Sequence, residues 1–176
     1  MSKWINYSLA ERKAMIQRVV DVRNIDEVAA EKDWWVTAVL YALFHTGVAK
    51  YLLFKGGTSL SKGWNLINRF SEDVDLALDR SYFLDVKGDQ CAKCSSNTQI
   101  HHLREKGHDF ILNDLKGELE ALLTDMGLTE VVVVGENEKK DEYNPMKIDH
   151  DKDPSVIFVQ YPSLYSHAES YASPVV

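Results

Sequence analysis

The run Tyr51-Leu52-Leu53-Phe54 breaks at Lys55-Gly56-Gly57, and Thr58-Ser59 follow before apolar residues resume at Leu60. A short, continuous apolar run reads as a central strand covered on both faces. The spacing of Leu60, Trp64 and Ile67 predicts a one-sided helix from Thr58 to about Ile67, with Gly63 a tolerated weak point inside it. A strand that turns through glycines straight into a helix aims free backbone N–H groups and the positive end of a dipole outward, where an anion can sit. Phosphate is the expected guest.

Asp73 and Asp75 follow, two residues apart in a stretch that alternates polar and apolar. A strand from Asp73 to Leu78 places both carboxylates on one face, with Val74, Leu76 and Leu78 on the other. Paired carboxylates beside a phosphate seat suggest metal-assisted phosphoryl or nucleotidyl transfer. Each part also has a plainer reading. Glycine pairs are common turn punctuation, and two alternating aspartates suit a solvated edge strand. The G-x-x-x-x-G-K-[ST] spacing of a Walker A loop is absent. It is the combination, in an order that can gather all three parts at one end of a sheet, that points to a site.

Composition narrows the classes. The chain has 176 residues, 45% hydrophobic and 27% charged, which fits one globular domain with a real core. A formal net charge of -7 argues against a broadly basic nucleic-acid surface, so any nucleic acid must be gripped locally. The N-terminus lacks a signal-peptide pattern, and the longest apolar run, Trp34 to Phe44, is too short to span a bilayer, so a cytoplasmic chain without membrane contact is expected. Cys91 and Cys94 are expected to be reduced, since a disulfide between them would close only a tiny loop. With His101 and His102 they make an incomplete Zn²⁺ pattern, for which a loop with free thiols is the simpler account.

The rest of the chain reads as packing elements. Ser8-Leu9-Ala10-Glu11 has capping-box form ahead of a helix carrying Ile16, Val19 and Val20. Trp35, Ala38, Val39, Ala42 and Leu43 stripe a second helix, with Gly47 as its stop. Tyr82 to Thr98 reads as a loop. Ile111, Leu115, Leu119, Leu122 and Met126 mark a long helix that ends at Gly127, with Leu103 on an earlier turn. Thr129 to Val134 and Val156 to Tyr161 read as strands joined by the charged segment from Glu136 to Asp153. Within that segment Asp149, Asp151 and Asp153 read as a solvated loop that offers, in principle, a third carboxylate. Glu118, Glu120 and Asp125 read as the wet face of the long helix.

Lys55-Gly56-Gly57-Thr58-Ser59-Leu60 together with Arg69-Phe70-Ser71-Glu72-Asp73-Val74-Asp75-Leu76 resembles the signature of the AbiEii-type nucleotidyltransferases, the abortive-infection and toxin branch of the DNA-polymerase-β-like superfamily. Glu31-Lys32-Asp33-Trp34-Trp35-Val36 resembles the segment before that signature, and Val159-Gln160-Tyr161-Pro162-Ser163 one after it. The resemblance implies an α+β fold, a mixed sheet flanked by helices, in one domain over 1–176 with N-terminal helices in 1–47 and the catalytic sheet and helices in 48–176.

It also implies function. Asp73 and Asp75 would be catalytic and hold Mg²⁺ (or Mn²⁺). Gly56, Gly57, Thr58 and Ser59 would contact a nucleoside triphosphate, with Lys55, Lys62 and Arg69 as the cations that neutralise phosphate. Lys62 ranks first by its place in the helix's second turn. In the family a toxin role in phage defence, with tRNA as the acceptor in some members, points to RNA as the acceptor, with an antitoxin regulated at the gene level. In the family's pattern a third acidic residue lies on a strand after a segment resembling Tyr171-Ala172-Ser173-Pro174-Val175-Val176, and a helical C-terminal region follows. The chain therefore corresponds to the N-terminal part of that pattern. The alternative is a catalytically incomplete remnant that serves as a binding or interaction module.

Overall fold

The computed structural model describes residues 4–67, 73–93, 96–136, 155–165 and 174–176. Helix α1, Leu9–Arg23, starts as the sequence predicts: Glu11 N–H donates to Ser8 Oγ at 3.3 Å, and Ser8 N–H donates to Glu11 Oε2 at 2.8 Å. It ends at Asn24, in the left-handed region at φ 53°. Asp26 then caps α2, Glu27–Leu43, by accepting the Ala29 N–H at 2.8 Å. All five residues of the predicted stripe on α2, Trp35, Ala38, Val39, Ala42 and Leu43, are buried. The helix stops before Gly47, whose N–H donates at 2.5 Å to Oε1 of Glu118, a residue on the later helix that packs against α2.

One 3-10 turn, Ala49–Tyr51, leads into β1, Leu52–Lys55, which pairs antiparallel with β2, Asp75–Leu78. The partners are Leu52 with Leu78, Leu53 with Ala77, Phe54 with Leu76 and Lys55 with Asp75. The expectation of a central strand covered on both faces is corrected. Among the described residues β1 has β2 as its neighbour, Leu52 is buried, and Leu53 is 58% exposed. A two-stranded antiparallel ladder packs one face and leaves the other to solvent.

Helix α3 opens with Gly56–Thr58 and widens into a π-helical turn over Ser59–Gly63. It begins earlier and ends earlier than the apolar spacing predicts. The widened turn shifts the helical phase, Asn65 enters the left-handed region at φ 52°, and Trp64 is left 71% exposed rather than packed with Leu60 and Ile67.

The stretch read as a loop from Tyr82 to Thr98 holds structure. Helix α4, Ser81–Asp85, buries Tyr82 and Phe83, and a 3-10 turn follows over Gln90–Lys93. Ser96 and Gln99 then form a second capping box at the head of α5, Asn97–Asp109. Five residues are too few to show a helical period, and burial of two aromatic rings does the work of propensity. Helix α5 continues through a π-helical turn, Phe110–Leu115, into α6, Lys116–Asp125. Leu115 and Leu119 are buried as predicted, and the re-phased helix also buries Leu112 and Leu123. Gly127, at φ 84°, follows the end of α6.

Strands β3, Val132–Gly135, and β4, Ile157–Gln160, form a second antiparallel ladder with Val133 opposite Val159. Pro174–Val176 lie along the other edge of β4: Val159 and Val176 exchange backbone hydrogen bonds of 2.8 and 3.0 Å. The α+β class expected from the sequence is the class observed, its β part being these antiparallel ladders. One core joins α2, both ladders, α4 and the long helix, and a smaller cluster sets Trp4 and Ile16 against Ala30. Trp4 stacks on Trp34, and Trp35 stacks on Tyr161. Among the described residues no helix is long and apolar enough to cross a membrane.

Candidate active site

The register of β1 and β2 ends at Lys55 and Asp75, so the glycine turn leaves the ladder where the acidic strand enters it. Gly56 has φ 74°, a conformation that L side chains rarely adopt. A β-carbon on it would also lie 1.9 Å from Asp75 Oδ2, 2.7 Å from its Cγ and 2.9 Å from its Cβ. The Asp75 carboxylate therefore rests directly on the glycine turn.

The two hydroxyls after the glycines face inward. Thr58 is fully buried, and its Oγ1 donates a short hydrogen bond to the backbone carbonyl of Asp73. Ser59 Oγ donates to the Phe54 carbonyl at 3.1 Å. These bonds tie the head of α3 to both strands. With the Ser59 N–H donating to the Gly56 carbonyl, the groups that a ligand at the head of α3 would meet are the backbone N–H groups of Gly56 to Thr58, since the first N–H groups of a helix have no acceptor within it. Asp73 and Asp75 are both exposed, whereas Val74, Leu76 and Leu78 pack on the core. The alternation read from the sequence is thus the one observed, with Asp73 just ahead of the ladder and Asp75 as its first residue.

Of the three cations singled out, Lys55 is exposed at the end of β1 opposite Asp75. Lys62 turns to α2, where its Nζ lies 2.6 Å from Asp33 Oδ1 and 3.0 Å from Thr37 Oγ1. Arg69 lies outside the described residues, as do Cys94, Asp149, Asp151 and Asp153 and the side chain of Cys91. His101 and His102 both face Glu105, at 3.3 and 3.0 Å. Among the described residues no group of three His, Cys, Asp or Glu side chains could hold a metal ion.

The donor set at Asp73 and Asp75 suits Mg²⁺, which binds through one or two carboxylates and completes its shell with water and substrate phosphate. Asp73 and Asp75, both exposed, are the oxygen donors that would hold such an ion.

Sequence reasoning missed how Glu31 and Asp33 are used. Glu31 is only 1% exposed; Ser163 Oγ donates to its Oε2 at 2.5 Å and Leu164 N–H to its Oε1 at 2.9 Å. That pairing joins the two outlying segments that flank the central motif. Burial and the Glu31 and Glu27 carboxylates push the Tyr165 hydroxyl above the usual tyrosine range.

Residues 38–175 match the family model described as "Nucleotidyl transferase AbiEii toxin, Type IV TA system". The chain belongs to this family. The matched range contains the glycine turn, both aspartates and both ladders, while Glu31 and Asp33 lie just ahead of it. No curated protein and no solved structure matches the chain.

Proposed function

We propose that this AbiEii-family chain binds a nucleoside triphosphate with Mg²⁺ where β1, α3 and β2 meet, and transfers a nucleotidyl group to an acceptor hydroxyl. The observation that carries this reading is the contact between Gly56 and Asp75, which joins an anion seat to a carboxylate pair. The backbone at Gly56 to Ser59 orients the phosphates, and Lys55, Lys62 and Arg69 offset their charge. Asp73 and Asp75 hold the metal, which when bound neutralises triphosphate charge and stabilises the leaving pyrophosphate. In the transfer the acceptor hydroxyl loses its proton to solvent as its oxygen bonds to the α-phosphorus, the bridging P–O bond to the β-phosphate breaks, and pyrophosphate departs.

The family's description as the toxin of a type IV toxin–antitoxin system supports a toxin role beside an antitoxin, and for the acceptor we propose RNA, with tRNA as the first candidate. A net charge of -7 fits an RNA gripped near the site rather than over a broad surface. Isothermal titration with each NTP and Mg²⁺ tests the binding step, with Asp73→Ala and Asp75→Ala beside the unaltered chain. Triphosphate binding that is absent, or indifferent to both substitutions, refutes the proposal. Incorporation of labelled NTP into bulk tRNA tests the acceptor.

A further inference from the structure

The ammonium group of Lys62 is met by three acceptors, all from one turn of α2. It donates to Asp33 Oδ1 at 2.6 Å, to Thr37 Oγ1 at 3.0 Å and to the Asp33 backbone carbonyl at 3.3 Å. An ammonium has three N–H bonds and no acceptor, so these contacts use its whole donor capacity. The Thr37 hydroxyl donates to the same Asp33 carbonyl at 2.8 Å, which leaves its lone pairs for Lys62. The arrangement is closed, yet not sealed: the Lys62 and Asp33 side chains are 22% and 29% exposed. Water reaches the pair, and a pair of that kind opens at little cost.

Lys62 sits on α3, the helix that starts at the glycine turn. For its ammonium to meet a phosphate seated at Gly56 to Ser59, it must release at least one acceptor on α2. The Asp33 carboxylate is the strongest of the three, being charged and closest. We propose that Asp33 is the resting partner of Lys62, exchanged for the triphosphate when nucleotide binds, so that α2 sets the affinity of the phosphate seat. This rests on the nucleotidyltransferase reading, in which Lys62 offsets phosphate charge. Asp33 acts through Lys62 and is a positioning residue, with Thr37 as its helper.

The experiment is titration of the whole chain with each NTP and Mg²⁺, comparing Asp33→Asn, Thr37→Val, Lys62→Met and the double variant Asp33→Asn/Lys62→Met. Asp33→Asn is expected to tighten binding by about three- to fivefold, the scale of a partly exposed ion pair. Thr37→Val shifts affinity the same way by less. On the Lys62→Met background Asp33→Asn is expected to change affinity by less than about twofold, because the two residues act as one unit. Equal tightening with and without Lys62 overturns the proposal, since Asp33 would then act on the nucleotide by charge alone. Unchanged or weaker binding in both Asp33→Asn and Thr37→Val overturns it as well. Should thermal melting show Asp33→Asn unfolded, Thr37→Val decides by the same criterion: tighter binding supports the exchange, and unchanged or weaker binding overturns it. A wild-type chain that binds no triphosphate overturns the nucleotidyltransferase reading together with this one; binding that fails only the Asp33 comparison overturns this one alone.

Discussion

The Asp75 carboxylate occupies the space in which any residue other than glycine at position 56 would carry its β-carbon, 1.9 Å from Asp75 Oδ2. The contact lies between an exposed glycine at φ 74° and the first residue of the acidic strand, so conformation and space demand glycine for separate reasons. Gly56→Ala is expected to cost about 1–3 kcal/mol, the usual scale of backbone strain at such a position. Because Asp75 Cβ as well as its carboxylate stands in the way, the ladder must shift, and Mg²⁺-dependent nucleotide binding should fall more than stability does. Urea denaturation alongside nucleotide titration checks both. A variant of native stability and affinity would show that neither demand is real.

Thr58 offers a second lever on the same strand. Its hydroxyl is buried and bonds to the Asp73 carbonyl, so Thr58→Val keeps the shape but leaves that carbonyl without this donor. The expected loss is about 0.5–1.5 kcal/mol, the net worth of one hydrogen bond to a carbonyl that is not fully buried. Thr58→Ser keeps the hydroxyl and should restore most of the nucleotide affinity. If Thr58→Val and Thr58→Ser bind alike in titration, the hydroxyl does not hold the acidic segment.

How much of this was legible depended on whether a feature was local. Capping at Ser8, the stripe on α2 and the alternation around Asp73 and Asp75 are each set within a few residues, and the sequence shows them. What escaped was set at a distance or by phase. Leu53 belongs to an apolar run and is exposed, because a strand's coverage depends on what packs beside it. Trp64 sits at helical spacing from Leu60, but the π-helical turn re-phases the residues between. Thr58 and Ser59 read as phosphate contacts by their hydroxyls, and the partners that engage those hydroxyls, Asp73 and Phe54, become visible only when the ladder closes. The Asp33 partner of Lys62 arrives from a helix far away in sequence.

Acid should loosen the N-terminus before the core. Hydrogen bonds from the Ser8 side chain and backbone hold the Glu11 carboxyl below its usual range, and both are lost on protonation. A depressed folded-state value means that the capping contribution is present above the unfolded value of 4.5 and fades as pH falls through the folded one. The protection of first-turn amides of α1, measured against their intrinsic exchange rate at each pH, should therefore fall as pH drops below 4.5. Glu11→Gln should remove the pH dependence of that protection, and protection that still falls with acid in this variant would assign it to another group.

Glu31 should matter more to stability than its sequence neighbours suggest. It is buried, and it receives both the Ser163 hydroxyl and the Leu164 N–H, so the segment after β4 is held to α2 by one carboxylate. Glu31→Ala strands two part-buried donors and opens a space where a buried side chain was, with an expected loss of about 2–5 kcal/mol. Ser163→Ala leaves Leu164 paired but removes both the bond to Glu31 and the acceptor of the Tyr165 N–H at 3.1 Å, so its cost should be about 1–2 kcal/mol. The two changes share a partner and should be less than additive, with Ser163→Ala costing less once Glu31 is alanine and only the Tyr165 N–H still depends on the hydroxyl. Thermal and urea unfolding of the single and double variants measures the coupling. Full additivity would mean that the Glu31 to Ser163 bond contributes nothing to the fold.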